Sequence, residues 1–332
     1  NDAQNRATQR TEKVNIVGAG GALTAAYEQL RNAAENTEEH LLLQNAIRRF
    51  FKQLFVTRDE RLVLSSGNEL AVELTLAGYL ANNTLLKVQL NEVSALAAKH
   101  YVAYEKLQKR RGINPDTSTA WLLDTLCVSV ARIVSPALED AAFINFAYSY
   151  FQKTLLRNES ALQALDEDDY SASLFAAVHK ALLKSDVATI RAGLMSRYGI
   201  LPDDLERYIA YNQHIDRLLQ SATTDKLYRI IDRQGAPLRI IRRMIEDRPD
   251  FLQLLPKRDA FLDAFEKQVT KEYSRITERV NRAIIRSVIF LIITKFLVGI
   301  AIEVPYDLWA HGQVVWQPLI INLFFPPLYM VA

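Results

Sequence analysis

Apolar positions return every three or four residues through most of this chain and almost nowhere every second residue, the signature of helix over strand. Leu41, Leu42, Ala46, Ile47, Phe50, Leu54 and Phe55 follow one another at helical spacing, as do Leu70, Leu74, Ala77 and Leu80. The same periodicity predicts helices over roughly 85–109, 116–134, 137–156, 169–183, 186–198, 203–220 and 237–246. Asn114-Pro115-Asp116, Ser135-Pro136, Leu201-Pro202-Asp203 and Gly235-Ala236-Pro237 put proline and short acceptors where helices start. The part ahead of residue 284 is therefore expected to be all-α. Acids in NESALQALDEDD interrupt the apolar pattern. They divide a helical domain at 14–157 from a second helical unit at 169–256, with 158–168 as an acidic linker and 1–13 as an N-terminal linker or disordered segment.

From Arg258 the pattern becomes one uninterrupted helix. Leu262, Phe265, Val269, Tyr273, Ile276, Val280 and Ile284 are spaced 3, 4, 4, 3, 4, 4, an 11-residue period rather than the seven-residue one. Continued to Val304, the element would be on the order of 70 Å long. Residues 257–283 read as a stalk whose stripe must bury against the soluble domain or against the same stalk in a second subunit, self-association being the favoured of the two. Ile284 to Val304, IIRSVIFLIITKFLVGIAIEV, carries only Arg286, Lys295 and Glu303 as charges and has about the 20 residues a spanning helix needs. Pro318 to Ala332 is uncharged but shorter, and is expected to continue past Ala332. Between them PYDLWAHGQVVWQ holds turn formers and the interfacial aromatics Tyr306, Trp309 and Trp316.

Residues 284–332 thus read as a transmembrane hairpin continuous with the stalk. Lys271, Arg275, Arg279, Arg282 and Arg286 flank its first run, while the connecting loop has no Lys or Arg, so the N-terminal side is expected to face the cytoplasm. The implied location is integral to a bacterial inner membrane or its equivalent.

VNIVGAGGALTAAYEQL, residues 14–30, imitates a dinucleotide-binding turn. That fold needs a small third residue where Leu23 stands and a second strand where AAENTEEHLLLQNAIRRFF is helical, so the glycines are read as a flexible start to a helix and no cofactor is expected. Forty Lys and Arg against 38 Asp and Glu leave a net charge of +2, which gives no field to steer nucleic acid. The lone Cys127, in LLDTLCVSVA, is expected to be a packed core thiol.

The five histidines, at 40, 100, 179, 214 and 311, show no metal-ligand spacing, and no nucleophile elbow or phosphate loop occurs, so weight moves away from enzymes. His179 and His214 are expected at the surface or its boundary. Lys295 stands near the middle of the first span, where a charge costs roughly 2.5–3.5 kcal/mol, and is expected to meet Asn322 across the hairpin or to line a polar path. Glu303 and Asp307 beside Pro305 could hold a hydrated cation. Stalk, span, acidic proline loop and second span loosely resemble the layout of the pore subunits of the mitochondrial calcium uniporter family, over about the last 75 residues. That family's W-D-x-x-E-P run opens its second span, whereas here Trp316-Gln317-Pro318 stands there and the acids close the first span.

PLRIIRRMIED places Arg239, Arg242 and Arg243 on an amphipathic helix; with Arg279, Arg282 and Arg286 these are the candidates for contact with an anionic leaflet. The expected role is a membrane-anchored helical scaffold or assembly subunit acting through protein–protein contact at the cytoplasmic face, with the lipid bilayer and protein partners or a second copy as its associates. A channel or transporter subunit, then a membrane-bound enzyme, are the competing classes.

Overall fold

The computed structural model describes residues 13–14, 39–136, 138–156, 160–163, 165–298, 301–302, 304–312, 316 and 321. Among them the protein is almost entirely helical and has no strand; the one pairing is an isolated bridge between Lys13 and Leu86, where the Val14 N–H donates to the Leu85 carbonyl at 3.1 Å. The all-α expectation holds. The glycine run at 18–21 lies outside the described residues.

The chain forms two compact units, Asn1–Leu238 and Arg239–Ala332. The first contains α1 (Glu39–Thr57), α2 (Glu60–Leu64), α3 (Ser66–Leu76), α4 (Lys87–Gln108), α5 (Pro115–Val134), α6 (Leu138–Thr154), α7 (Ser160–Gln163), α8 (Glu167–Val178), α9 (Val187–Arg197), α10 (Leu205–Leu219) and α11 (Ala222–Gln234). A π-helical turn, His179–Leu183, continues α8 and is closed by Lys184 in the left-handed region at φ 53°. The boundary between the units falls inside α12 (Ala236–Asp247), and the second unit continues with α13 (Phe251–Leu254), α14 (Arg258–Val298) and α15 (Val304–His311).

Side-chain caps set several of the starts in the first unit. Asn114, Asp166, Asp186, Asp204 and Ser221 each accept a backbone N–H from the first turn of the helix that follows, satisfying donors that have no partner inside the helix. At α5, Pro115 occupies the first helical position, where its missing N–H costs nothing. Asp166 begins α8, with Glu167, Asp168 and Asp169 in the first turn against the positive end of the helix dipole.

α5 is the centre of the first unit, packed against α4, α1 and α9. Among the described residues it is the one helix long and apolar enough to cross a membrane, yet 67% of its apolar window is buried in the protein, as suits a core helix. Phe51 and Phe55 of α1 meet Tyr101 and Tyr104 of α4 in an aromatic cluster, the Phe55–Tyr104 centroids 5.3 Å apart. α3 approaches α4 so closely that a Cβ on Gly67 would stand 2.0 Å from the Leu90 carbonyl oxygen, and only glycine fits.

Three boundaries differ from the periodicity. α3 stops at Leu76, before Leu80, because Gly78 turns the chain at φ 80°. α11 was not among the expected helices: its buried stripe is Thr224, Leu227 and Ile231, two apolar residues and a threonine, too sparse to stand out. The long helix is described as far as Val298, so α14 has 41 residues and is about 60 Å long, and residues 299, 300 and 303 lie outside the described residues. Part of the expected connecting loop, Val304–His311, is itself the short helix α15, with Pro305 tolerated in its first turn.

Candidate functional site

The densest polar construction lies inside the first unit, on residues that reach it from four helices. Arg191 of α9, its side chain 4% exposed, donates Nε–H to Asp124 Oδ2 at 2.9 Å, Nη1–H to Asn212 Oδ1 at 2.8 Å and Nη2–H to Asp216 Oδ1. The other oxygen of Asp124, on α5, accepts from Arg48 Nη1 of α1. Asp216, on α10, also accepts from Trp121 Nε1 at 2.9 Å. Two guanidinium groups and two carboxylates balance in charge, and the planar fork of Arg191 is matched on three sides, the condition under which a buried ion pair recovers its desolvation cost. Burial works against the Arg48 charge, but the adjoining Asp124 carboxylate outweighs it and holds the Arg48 pKa above its ordinary value.

A neutral chain continues from this network. The Leu96 carbonyl only accepts, so His100 Nδ1 at 2.9 Å carries the proton and Nε2 is the acceptor. Thr125 Oγ1 stands 3.3 Å from Nε2 and 3.2 Å from the Tyr208 hydroxyl. The Thr125 hydroxyl also lies 3.1 Å from the Leu122 carbonyl and 3.2 Å from that of Trp121, acceptors on its own helix, and its contacts with His100 and Tyr208 tie α4, α5 and α10. Burial lowers the His100 pKa to about 4 and pushes the Tyr208 phenol up to about 12, so both stay neutral at physiological pH.

His179, expected at the surface or boundary, is buried, because the π-helical turn directs it inward: Nδ1 is 3.1 Å from Ser185 Oγ and the ring lies 4.4 Å from the Phe175 ring, against Gly193. Burial, and secondarily the charge of Arg132, lower its pKa to about 4. His214 is a boundary residue paired with Asp169 at 2.8 Å. Cys127 is buried in the core, and burial pushes its thiol up to about 12.

In the second unit the decisive fact is which side of α14 is covered. Met244, Phe251 and Ala264 form a small core with Ile240, Ile241, Ile245, Leu254, Phe261 and Phe265 around it. Asp247 accepts from Lys271 Nζ at 2.8 Å and Gln268 Nε2 at 3.2 Å, with Arg275 Nη2 at 3.7 Å; these donors, Lys271 first, hold its pKa below the ordinary carboxylate value. The buried side of α14 is thus that of Ala264 and Gln268. Of the stripe read from the sequence, Phe265 touches this core, but Leu262, Tyr273, Ile276 and Val280 face away from it and are half or more exposed.

Of the residues singled out in the sequence, Arg242 and Arg243 pair with Glu246 at 3.1 and 2.9 Å, and Arg239 on the same helix is half-buried. The isoleucines of that helix are engaged in the core just described. Arg279, Arg282 and Arg286 are exposed on α14, Arg282 donating to its own helix at the Glu278 carbonyl, and Lys295 is half-buried. Asp307 lies on α15; Glu303 and Asn322 are outside the described residues, so no contact of theirs is given. Among the described residues no three His, Cys, Asp or Glu side chains converge as metal ligands.

The network of Arg48, Asp124, Arg191 and Asp216 went unnoticed in the sequence because its members are scattered over three-quarters of the first unit. The signal was there: Asp124 is a lone acid inside an apolar helix, and Arg191 a lone base on a helix face with Ala188, Ala192 and Met195. No family model, curated protein or solved structure matches the chain.

Proposed function

We propose that the chain is a membrane-anchored helical scaffold or assembly subunit, its helical N-terminal unit held at the cytoplasmic face by α14 and a hairpin that follows it. The observation that carries this reading is the end of α14. Ile285, Ile289, Phe290, Ile293, Phe296 and Leu297 are all more than half exposed, Phe290 at 71%, directly after the exposed bases Arg279, Arg282 and Arg286. Covering those six side chains with hydrocarbon gains on the order of 10 kcal/mol, against roughly 3 kcal/mol for taking Lys295 with them. Lipid is favoured, with the basic collar left in the headgroups on the cytoplasmic side.

The remainder of the protein supports a binding role. Buried polar side chains there join helices together: both oxygens of Asp124 are taken by guanidinium groups, and Thr125 lies within hydrogen-bond distance of both His100 and Tyr208.

Extraction of membranes at alkaline pH tests the anchoring. The full chain is expected to stay with the lipid pellet, and a chain cut before Ile284 to leave it; release of the full chain into the supernatant would remove the proposal. Co-purification from native membranes tests the scaffold role, with stoichiometric protein partners expected.

A further inference from the structure

We propose that the face of α14 centred on Tyr273, Ile276 and Val280 is the seam of a parallel homodimer, two copies of this chain lying α14 against α14 from about Val269 to Thr294. The parallel sense rests on the anchoring reading above, which points both helices the same way.

The argument starts from where the charges are. At about 100° per residue, every charged side chain from Lys271 to Arg286 falls within an arc of about 120°. The rest of the circumference is free of charge. The charged arc is also the arc the chain already uses: Asp247 binds Lys271 and Arg275 there, and the buried Gln268 and Ala264 lie on the same side. The opposite face therefore turns away from its own unit's core, and Tyr273 is 70% and Ile276 58% exposed on it. Three of its polar members need no water, since Thr270, Ser274 and Thr277 donate their hydroxyls to the carbonyls of Glu266, Thr270 and Tyr273 in the preceding turn.

What covers this face has to be apolar and has to lie on the water side, because Val269 to Val280 precedes the collar of Arg282 and Arg286. That excludes lipid for this half. An acidic partner would seek the charged arc, which carries five cations and two anions between Lys271 and Arg286, rather than this face. A second copy meets it without opposing charges, since both charged arcs point outward. The 11-residue spacing keeps the stripe straight along the helix, so two copies stay in register. Over Val269 to Thr294 the contact is about 40 Å long and buries on the order of 1,200 Å² in total, the lower bound of specific interfaces.

Disulfide mapping of the full chain in membranes tests the seam. Single cysteines are introduced at Tyr273→Cys, Val280→Cys and Ile284→Cys on the seam and at Arg275→Cys, Glu278→Cys and Arg282→Cys on the arc; the native Cys127 is buried and stays silent. Oxidation is expected to give at least ten times more dimer from the seam positions than from the arc. Cross-linking of like with like at both Tyr273→Cys and Ile284→Cys, about 16 Å apart, requires parallel chains, since an antiparallel pair brings like positions together at one level only. Equal yields on both faces, or none on the seam, would overturn the proposal. All six positions are on a solvent-facing helix, and circular dichroism of each variant confirms that helicity is unchanged. Alkaline extraction of the same membranes separates the two ideas. Release with seam cross-links intact removes the anchor and leaves the dimer; retention without them does the reverse.

Discussion

At the scale of single residues, the first unit is organised around charges where apolar side chains would have filled the same space. Removing one partner of such a network costs more than the pair contributes, because the remaining charge is left buried and unmatched. Asp124→Ala takes the carboxylate from Arg48 and one of the two carboxylates from Arg191, which keeps Asp216, and is expected to lose about 3 kcal/mol of stability, read as a lower urea midpoint at unchanged slope. Asp124→Leu combined with Arg191→Met should lose less than the two changes summed, since the Asp124–Arg191 contact is then lost only once, while Arg48 and Asp216 each lose one partner. The two buried histidines give a pH dependence of definite sign. Their folded pKa values, about 4, lie below the ordinary value of about 6.5, so the unfolded chain binds more protons between those limits. Stability is complete above about pH 6.5 and is lost as pH falls toward 4, by on the order of 2 kcal/mol for each histidine at pH 5. Urea titrations of wild type and His179→Gln at pH 7 and 5 check this; the variant should show the smaller drop. None of these residues was legible as a set. Helical periodicity tells which face of each helix is buried, but the meeting of Arg48 with Asp124 and Arg191 depends on how α1, α5 and α9 cross, and no local pattern encodes that.

At the scale of elements, periodicity was read well where a helix has a broad apolar face and poorly where its burial is narrow. α5 and α12 match the expected limits within one residue, since Asn114-Pro115 and Gly235-Ala236-Pro237 mark their starts in the sequence itself. α11 escaped notice because it buries a threonine with two aliphatics, and α14 shows the opposite error of inference. Its stripe is real, but the assumption that an apolar stripe is the one that packs at home fails. The core of the second unit takes Ala264 and the edge of Phe265, with Gln268 buried beside them, and leaves the stripe from Tyr273 onward outside. The stripe has a further consequence at its end. Tyr273, Ile284 and Lys295 are spaced by 11 residues, so the next seam position after Ile284 is a lysine. In a parallel pair the two Lys295 ammonium groups face each other and weaken the contact, as a polar residue at a core position of a helical pair does. Lys295→Leu is therefore expected to raise the dimer yield in the disulfide assay with Ile284→Cys by several-fold. A fall in that yield would instead assign Lys295 a stabilising partner, such as Asn322 across the hairpin.

At the scale of the whole molecule, the two units differ in how they are held. The first has a large core and an internal ionic lock; the second has a core of Met244, Phe251 and Ala264 with a rim of partly buried side chains, supporting a helix of about 60 Å. A helix of that length draws little stability from so small a core, and its outer turns depend on whatever covers them. Two covers are proposed, and mass action tells them apart. Lipid surrounds Ile284 to Val298 at any protein concentration once the chain is in a bilayer, whereas a second copy covers Val269 to Val280 only to the extent that two chains meet. Amide hydrogen exchange in liposomes reads both at once. The amides from Ile289 to Val298 should be protected equally at every protein-to-lipid ratio. Those from Val269 to Val280 should gain protection as the ratio rises, and lose it on dilution with empty lipid, while α5 and α8 remain unchanged because their cover is internal. If exchange over Val269 to Val280 is insensitive to dilution, the stripe has a cover that travels with each chain. If exchange over Ile289 to Val298 matches that of a free helix, no lipid is there, and the exposed residues around Phe290 need a protein partner instead.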